Sequence, residues 1–143
     1  MTEISYTTDG VEMPSFDTQR IENWIVSVAR GFGKTVGAVT YIFCNDDKIL
    51  EVNRKYINHD YYTDVITFDY SRPMRISGDV FISLDTVRSN AILLGKTYDN
   101  ELMRVIIHGI LHLCGVDDKG PGEREIMEMH ENEALAILPN NAI

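Results

Sequence analysis

Apolar positions follow two different periods along this chain, and the two periods predict a mixture of strands and helices. Runs rich in β-branched and aromatic residues predict strands at residues 4–6, 36–44, 64–70 and 78–83. A short turn at residues 71–77, with Pro73 inside it, separates the last two runs. Because the connection is so short, we expect these two strands to pair antiparallel.

Apolar residues at helical spacing lie between and after these strands. The first such stripe contains Ile21, Trp24, Ile25 and Val28, and it predicts a helix with its apolar face in the core. Strands interleaved with helices predict one α+β domain over residues 1–143, with helices packed on a small mixed sheet. The predicted N-caps are Ser15 or Asp17, Asn45 or Asp46, Asp85, and Asp99 or Asn100, and Pro121 is predicted to open a last helix at residues 122–136.

The most informative stretch is residues 105–118, an apolar run in which His108 and His112 stand four positions apart. On a helix, this spacing places both imidazoles on one face, one turn apart. Gly115 then ends the helix, and Asp117 and Asp118 follow, so either carboxylate can fold back toward the imidazoles. Two nitrogens and one oxygen, with a position left open for water, are typical of a catalytic metal site. The alternative is that both histidines are core residues and the aspartates cap the last helix.

Two residues near the histidines limit the kinds of metal site that the stretch can form. Gly109 stands where an HExxH metallopeptidase carries its glutamate base, which argues against that mechanism. The missing side chain at Gly109 either leaves room for a substrate or allows a close contact with a strand. Cys114 lies two residues past His112, about 200° around the helix, so we expect it to pack in the core rather than bind metal.

Charge and cysteine content limit the kinds of partner and the cellular compartment that we expect for this protein. The chain has a formal net charge of −9, which argues against a broad electrostatic grip on nucleic acid. Bases still cluster locally, at Arg54 with Lys55 and at Arg72 with Arg75. The 2 cysteines are too few for a disulfide framework, the N-terminus lacks the pattern of a signal peptide, and apolar runs are short. We therefore expect a cytoplasmic protein without a membrane segment.

The histidine stretch also resembles a known family signature. The run His108-Gly-Ile-Leu-His112-Leu-Cys-Gly-Val-Asp117 resembles the motif HGxLHLxGxDH of the YbeY family of bacterial endoribonucleases. Upstream, Val52-Asn53 with Tyr56, Asp60 and the run at residues 63–68 resembles the family segment LNxxYRxxDxxTDVLSF, and residues 78–82 resemble its GDI strand. The matching segments occur in the family's order between residues 41 and 136.

The resemblance implies a single-domain α+β fold with a three-ligand metal site at a helix end. It implies a metal-dependent, single-strand-preferring endoribonuclease that acts in maturation and quality control of small-subunit ribosomal RNA. RNA and the ribosome or ribosomal proteins are then the expected partners, and Zn²⁺ is the expected ion, with Ni²⁺ as an alternative. In this interpretation His108 and His112 are ligands. Asp118 stands where the family has a third histidine, so we predict that it is the third ligand.

A second departure from the family pattern concerns the substrate. Ile57 stands where the family carries an arginine, so we predict that Arg54 or His59 takes over its catalytic role and that Lys55 binds the substrate. The aromatic rings of Tyr61 and Tyr62 are predicted to stack on unpaired bases.

Each of these residues has a second interpretation, as a solvated, core or strand-edge side chain. Two other functions stay open from the sequence: a metal-dependent hydrolase of another substrate such as a peptide, and a non-catalytic ribosome-assembly factor with a structural metal.

Overall fold

A four-stranded sheet forms the centre of the fold in the computed structural model, which describes residues 3–57, 64–139 and 141–142. The strand order is β1-β2-β4-β3. Strand β1 pairs parallel to β2, β2 pairs parallel to β4, and β3 pairs antiparallel to β4, so the predictions of a mixed sheet and of the last hairpin are confirmed. The strands are β1 (Glu3–Asp9), β2 (Thr35–Cys44), β3 (Val65–Asp69) and β4 (Arg75–Ser83).

Helices cover both faces of this sheet. The side chains of Ile66 on β3 and Cys44 on β2 pack with Ile49 and Val52 of α2 on one face. The larger core lies on the other face, where α1, α4 and α5 pack. The helices are α1 (Thr18–Gly31), α2 (Asp46–Val52), α3 (Leu84–Leu94), α4 (Tyr98–Leu113) and α5 (Glu123–Ala136), and one π-helical turn (Asn53–Ile57) follows α2.

Two predicted helix starts are wrong by two or three residues, and one strand begins earlier than predicted. The N-cap of α3 is Ser83 rather than Asp85. The N-cap of α4 is Thr97 rather than Asp99 or Asn100, because the extended backbone of Thr97 aims its hydroxyl at the Asn100 N–H. Asp85 and Asp99 lie instead in the first turns of these helices, where the helix dipole stabilises a negative charge.

The other two N-cap predictions are confirmed, with Asp17 capping α1 and Asn45 capping α2. Helix α5 begins at Glu123, two residues after Pro121. Strand β4 begins at Arg75 rather than at Gly78, because Arg75 and Ile76 find partners on β2.

Helix α1 joins the core to the last helix. The ring of Trp24 is 2% exposed, which confirms its interpretation as a core residue. Its Nε1–H donates a hydrogen bond of 2.8 Å to the backbone oxygen of Ala134 in α5. This contact satisfies the one polar atom of the indole inside the core and fixes α5 against α1.

Helix α4 runs across the sheet and is buried on most of its surface, as its apolar sequence predicts. Gly109 lies directly against Val80 of β4, and a Cβ atom on Gly109 would stand 2.8 Å from Val80 Cγ1. The close strand contact is therefore the reason for this glycine. Cys114 and Cys44 are both buried free thiols, which confirms the interpretation of both as core residues.

Among the helices in the described ranges, none is long and apolar enough to cross a lipid bilayer.

The contact between Gly109 and Val80 generates a stability prediction. Replacing Gly109 with alanine should gain about 1 kcal/mol of helix propensity but lose more through overpacking, which typically costs about 1–3 kcal/mol. The stiff, buried side chain of Val80 cannot move aside cheaply. We therefore expect Gly109→Ala to lower the free energy of unfolding, measured by urea denaturation.

Gly31 is the matched control, because it is also helical and a Cβ atom there would meet nothing within 4 Å. Gly31→Ala should leave the free energy of unfolding unchanged or raise it. A Gly109→Ala protein as stable as the natural one would contradict the packing argument.

Candidate metal centre

His108, His112 and Asp118 come together in the structure as one group. The two histidines lie in the second half of α4, with ring centroids 4.5 Å apart. Gly115 reverses the chain at a φ of 99°, a left-handed conformation that favours glycine. The N–H groups of Gly115 and Val116 donate to the backbone oxygens of His112 and Leu111, which closes the end of the helix. The chain then returns past the imidazoles and brings Asp118 to them.

The distances within this group fit a metal ion. Asp118 Oδ2 lies 3.4 Å from His108 Nε2 and 3.6 Å from His112 Nε2. Ligands about 2.0–2.1 Å from a tetrahedral ion stand about 3.4 Å from one another, so both distances from Asp118 Oδ2 are close to the required spacing. The other carboxylate oxygen, Asp118 Oδ1, is buried and has no hydrogen-bond partner within the described residues. A buried carboxylate without enough partners is costly unless a cation compensates it.

Glu131 of α5 fixes the orientation of the first imidazole. Its Oε2 atom lies 2.6 Å from His108 Nδ1, so the other ring nitrogen, Nε2, faces Asp118. Arg104 donates to Glu131 Oε1 at 2.8 Å and to Asn132 Oδ1 at 2.8 Å. A carboxylate that holds the outer nitrogen of a ligating histidine is a common feature of metal sites, since it fixes both the tautomer and the ring.

These contacts also move the two histidine pKa values apart. Burial acts to lower the pKa of His108, but the hydrogen bond and charge of Glu131, with the charges of Asp64 and Asp118, raise it above 6.5. Burial and the nearby His108 lower the pKa of His112 below 6.5. Burial acts to raise the pKa of Glu131, yet its bonds to His108 and Arg104 hold it below 4.5. At neutral pH His112 is therefore already in the neutral form that a metal needs.

The group opens into a cavity of about 870 Å³ between β3, α3, α4 and α5. Further carboxylates line it, and for two of them, Asp64 and Glu101, burial raises the pKa above the usual range. The side chain of Glu101 is only 4% exposed. Three exposed cations, Lys96, Lys119 and Arg124, also line the cavity.

The predicted site residues divide into three sets. The predicted ligands His108, His112 and Asp118 form a group that could hold a metal ion, whereas Asp117 is exposed and lies outside that group. Arg54 and Lys55 line a separate small depression with Asp47, Leu50 and Glu51, not the cavity beside His108. Their predicted roles stay predictions. His59, Tyr61 and Tyr62 lie outside the described residues.

The sequence analysis missed the supporting residues of the site, Glu131 and Arg104 above all. One signal could have found Glu131, because it lies on the same face of α5 as Met127 and Ala134, both of which are buried. A glutamate on the buried stripe of an otherwise acidic, solvated helix needs a partner. Arg104 precedes His108 by one helical turn, and that spacing also places it on the histidine face.

Comparison with known proteins matches almost the whole chain. The family model described as Endoribonuclease YbeY matches residues 4–139. A protein of that name from Phocaeicola vulgatus is 66% identical over 135 residues, which cover 94% of this chain and 98% of that protein. A protein of the same name from Bacteroides thetaiotaomicron is 62% identical over 134 residues, covering 94% and 98%.

The fold has a solved relative as well. The solution structure of TM1509 from Thermotoga maritima is similar with a TM-score of 0.61 and 26% identity, covering 93% of this chain and 89% of that one. The α+β fold, the resemblance in the histidine motif and the prediction of an RNA-cleaving hydrolase are thereby confirmed at the level of the family. The match of the family model over residues 4–139 and the 66% and 62% identities to the two relatives place the chain in the endoribonuclease YbeY family.

Proposed function

We propose that this protein is a metal-dependent endoribonuclease that cleaves single-stranded RNA during maturation and quality control of small-subunit ribosomal RNA. Residues 1–143 form its single catalytic domain, and the ribosome or ribosomal proteins in the cytoplasm are its partners. The observation that carries the proposal is the spacing of the His108, His112 and Asp118 donor atoms beside an open cavity, in a chain of this family.

His108, His112 and Asp118 are the proposed ligands, and Zn²⁺ is the proposed ion, with Ni²⁺ as the alternative. When bound, such an ion supplies Lewis-acid polarisation of a phosphoryl oxygen and a bound water whose pKa is lowered to about 7. Glu131 holds the Nδ1 side of His108, so that Nε2 stays directed at the centre. Asp118 contributes a negative charge where the family motif has a neutral imidazole, so the proposed centre is less electropositive than a centre of three imidazoles.

The cavity supplies further groups for a phosphodiester substrate. Lys96, Lys119 and Arg124 are exposed and form no ion pair within residues 3–57, 64–139 and 141–142. These cations can contact the RNA backbone on a protein whose net charge is −9. Arg54, Lys55 and His59 remain proposed contributors, as do Tyr61 and Tyr62 for base stacking.

Metal content and RNA cleavage test the ligand set together. The natural protein should bind about one equivalent of zinc or nickel, and both His112→Ala and Asp118→Ala should lose it, because each removes one of only three protein ligands. Cleavage of single-stranded RNA should fall to background in both variants while the far-ultraviolet circular dichroism stays native. Elemental analysis and a gel assay measure the two effects.

Asp117→Asn is the matched control, since Asp117 lies in the same returning segment and lines the cavity without joining the ligand group. It should keep the metal. Casein is assayed beside the RNA to test for a peptide hydrolase. Loss of metal from Asp117→Asn with retention in Asp118→Ala would overturn the assignment, and RNA cleavage that survives the loss of metal would overturn the mechanism.

Glu131→Gln should weaken metal binding about 10- to 100-fold, because a neutral amide holds the His108 ring less firmly than a carboxylate does. Competition with a chromophoric chelator measures the affinity without relying on activity. Glu133→Gln is the control on the same helix, because Glu133 is exposed and contacts only His130 among the described residues. Equal affinities for the two variants would contradict an orienting role for Glu131.

The contact between Glu131 and His108 also predicts the pH range in which it stabilises the metal-free protein. The lowered pKa of Glu131 gives stability that is present above pH 4.5 and is lost as the pH falls through its folded value. The raised pKa of His108 gives stability that is present below pH 6.5 and is lost as the pH rises through its folded value. Thermal unfolding should therefore separate the natural protein from Glu131→Gln most strongly between these limits. A separation that keeps growing above pH 8 would contradict the pairing.

A further inference from the structure

Strand β3 borders the cavity with an edge that no strand of residues 3–57, 64–139 and 141–142 pairs. It is the last strand of the sheet, and β4 is its partner on one side. Its other side faces the cavity, which is lined by residues 64–67 and 69. Histidines 108 and 112 line the same cavity from α4. The exposed edge of the sheet and the proposed ligand group therefore share one space.

The pairing with β4 shows which backbone groups face this space. The backbone oxygen of Asp64 accepts from Ser83 N–H at 2.9 Å. At the other end of the strand, Tyr70 N–H donates to the backbone oxygen of Ser77 at 2.9 Å. Because hydrogen-bonded residues alternate in an antiparallel pair, residues 64, 66, 68 and 70 face β4 and the residues between them face outward.

Thr67 and Asp69 thus direct both a backbone N–H and a backbone carbonyl away from the sheet. Within the residues that the structure describes, neither backbone pair has a hydrogen-bond partner. Val65 differs, because its N–H is close enough to the Asp64 carboxylate to act on the pKa of that group. Natural proteins usually cover or pair an exposed edge of this kind. An uncovered edge beside an active centre indicates that the substrate covers it.

We propose that the outward edge of β3 binds the bases of the single-stranded RNA substrate through the backbone groups of Thr67 and Asp69. Every RNA base carries adjacent donor and acceptor atoms on its Watson–Crick edge, and these complement the N–H and carbonyl of one strand residue. Backbone groups are the same whatever the side chain, so this contact accepts any base. The inference rests on the proposed function, because it takes RNA as the occupant of the cavity.

Family membership favours RNA over an extended polypeptide at this edge, because the chain belongs to an endoribonuclease family. The charge of the cavity lining is mixed, since its carboxylates outnumber its cations. The exposed Lys96, Lys119 and Arg124 are the side chains in it that can contact phosphates. The edge then accounts for a preference for single strands, because the Watson–Crick edges of a duplex are already paired and cannot reach Thr67.

Proline at position 67 tests the inference, because it removes the outward N–H without removing a bond to β4. Thr67→Val is the reference, since it also lacks the hydroxyl but keeps the N–H. Anisotropy titrations with a fluorescein-labelled single-stranded RNA, recorded on ice with the full-length protein, compare the two variants. We expect Thr67→Pro to bind about 3- to 10-fold more weakly than Thr67→Val, which corresponds to one hydrogen bond. A duplex of the same sequence should not distinguish them.

Equal binding of the single strand by the two folded variants would overturn the inference, as would an equal loss for single strand and duplex. If Thr67→Pro does not fold, Asp69→Pro is compared with Asp69→Ala, since both lose the bond that the Asp69 carboxylate accepts from Ser71 N–H. If the proline variant binds an extended casein peptide more weakly than its reference variant does, while both bind RNA equally well, the edge is assigned to a polypeptide. RNA that stays uncleaved by the zinc-loaded natural protein would refute the proposed function, and the binding ratio is read independently of that result.

Discussion

The close packing of α4 on β4 is the constraint on which the rest of the structure depends. Gly109 brings the helix axis so near to the sheet that Val80 occupies the space of a missing side chain. Residues on either side of Gly109 are then held at a fixed height and rotation over the strands. His108 and His112 are among them, and they face the open cavity while the apolar residues of the same helix fill the core. A core contact thus sets the position of the candidate centre.

Helix α5 supplies what α4 cannot provide alone. A helix can place two imidazoles on one face, but rotation about the side-chain bonds would leave their nitrogens free to turn. Glu131 removes that freedom for His108, and Arg104 holds Glu131 in turn. Trp24 fixes α5 through Ala134, less than one helical turn further along. The geometry of the centre is consequently a property of three packed helices rather than of one motif.

Local pattern was sufficient to predict most of the fold and the candidate ligands. The pattern of strands and helices predicted the mixed sheet. The four-residue spacing of the histidines, with a glycine and two aspartates after them, predicted the group that could hold a metal ion. The resemblance selected Asp118 over Asp117, which spacing alone could not do. Glu131 was missed because its partner is 23 positions away, and no local rule names that contact. The caps of α3 and α4 were misplaced because several residues in succession can cap, and the backbone path decides among them.

The contacts that build the candidate centre join residues at very different sequence separations, and this separation affects the order in which they form. The three candidate ligands are neighbours along the sequence, so bringing them together costs little loop-closure entropy. The contact of Trp24 with Ala134 spans 110 positions, and the parallel pairing of β2 with β4 is also distant in sequence. Contacts of that kind form slowly. The three candidate ligands can therefore come together in a partly folded polypeptide, and the ring orientation that Glu131 enforces is acquired only when α5 docks.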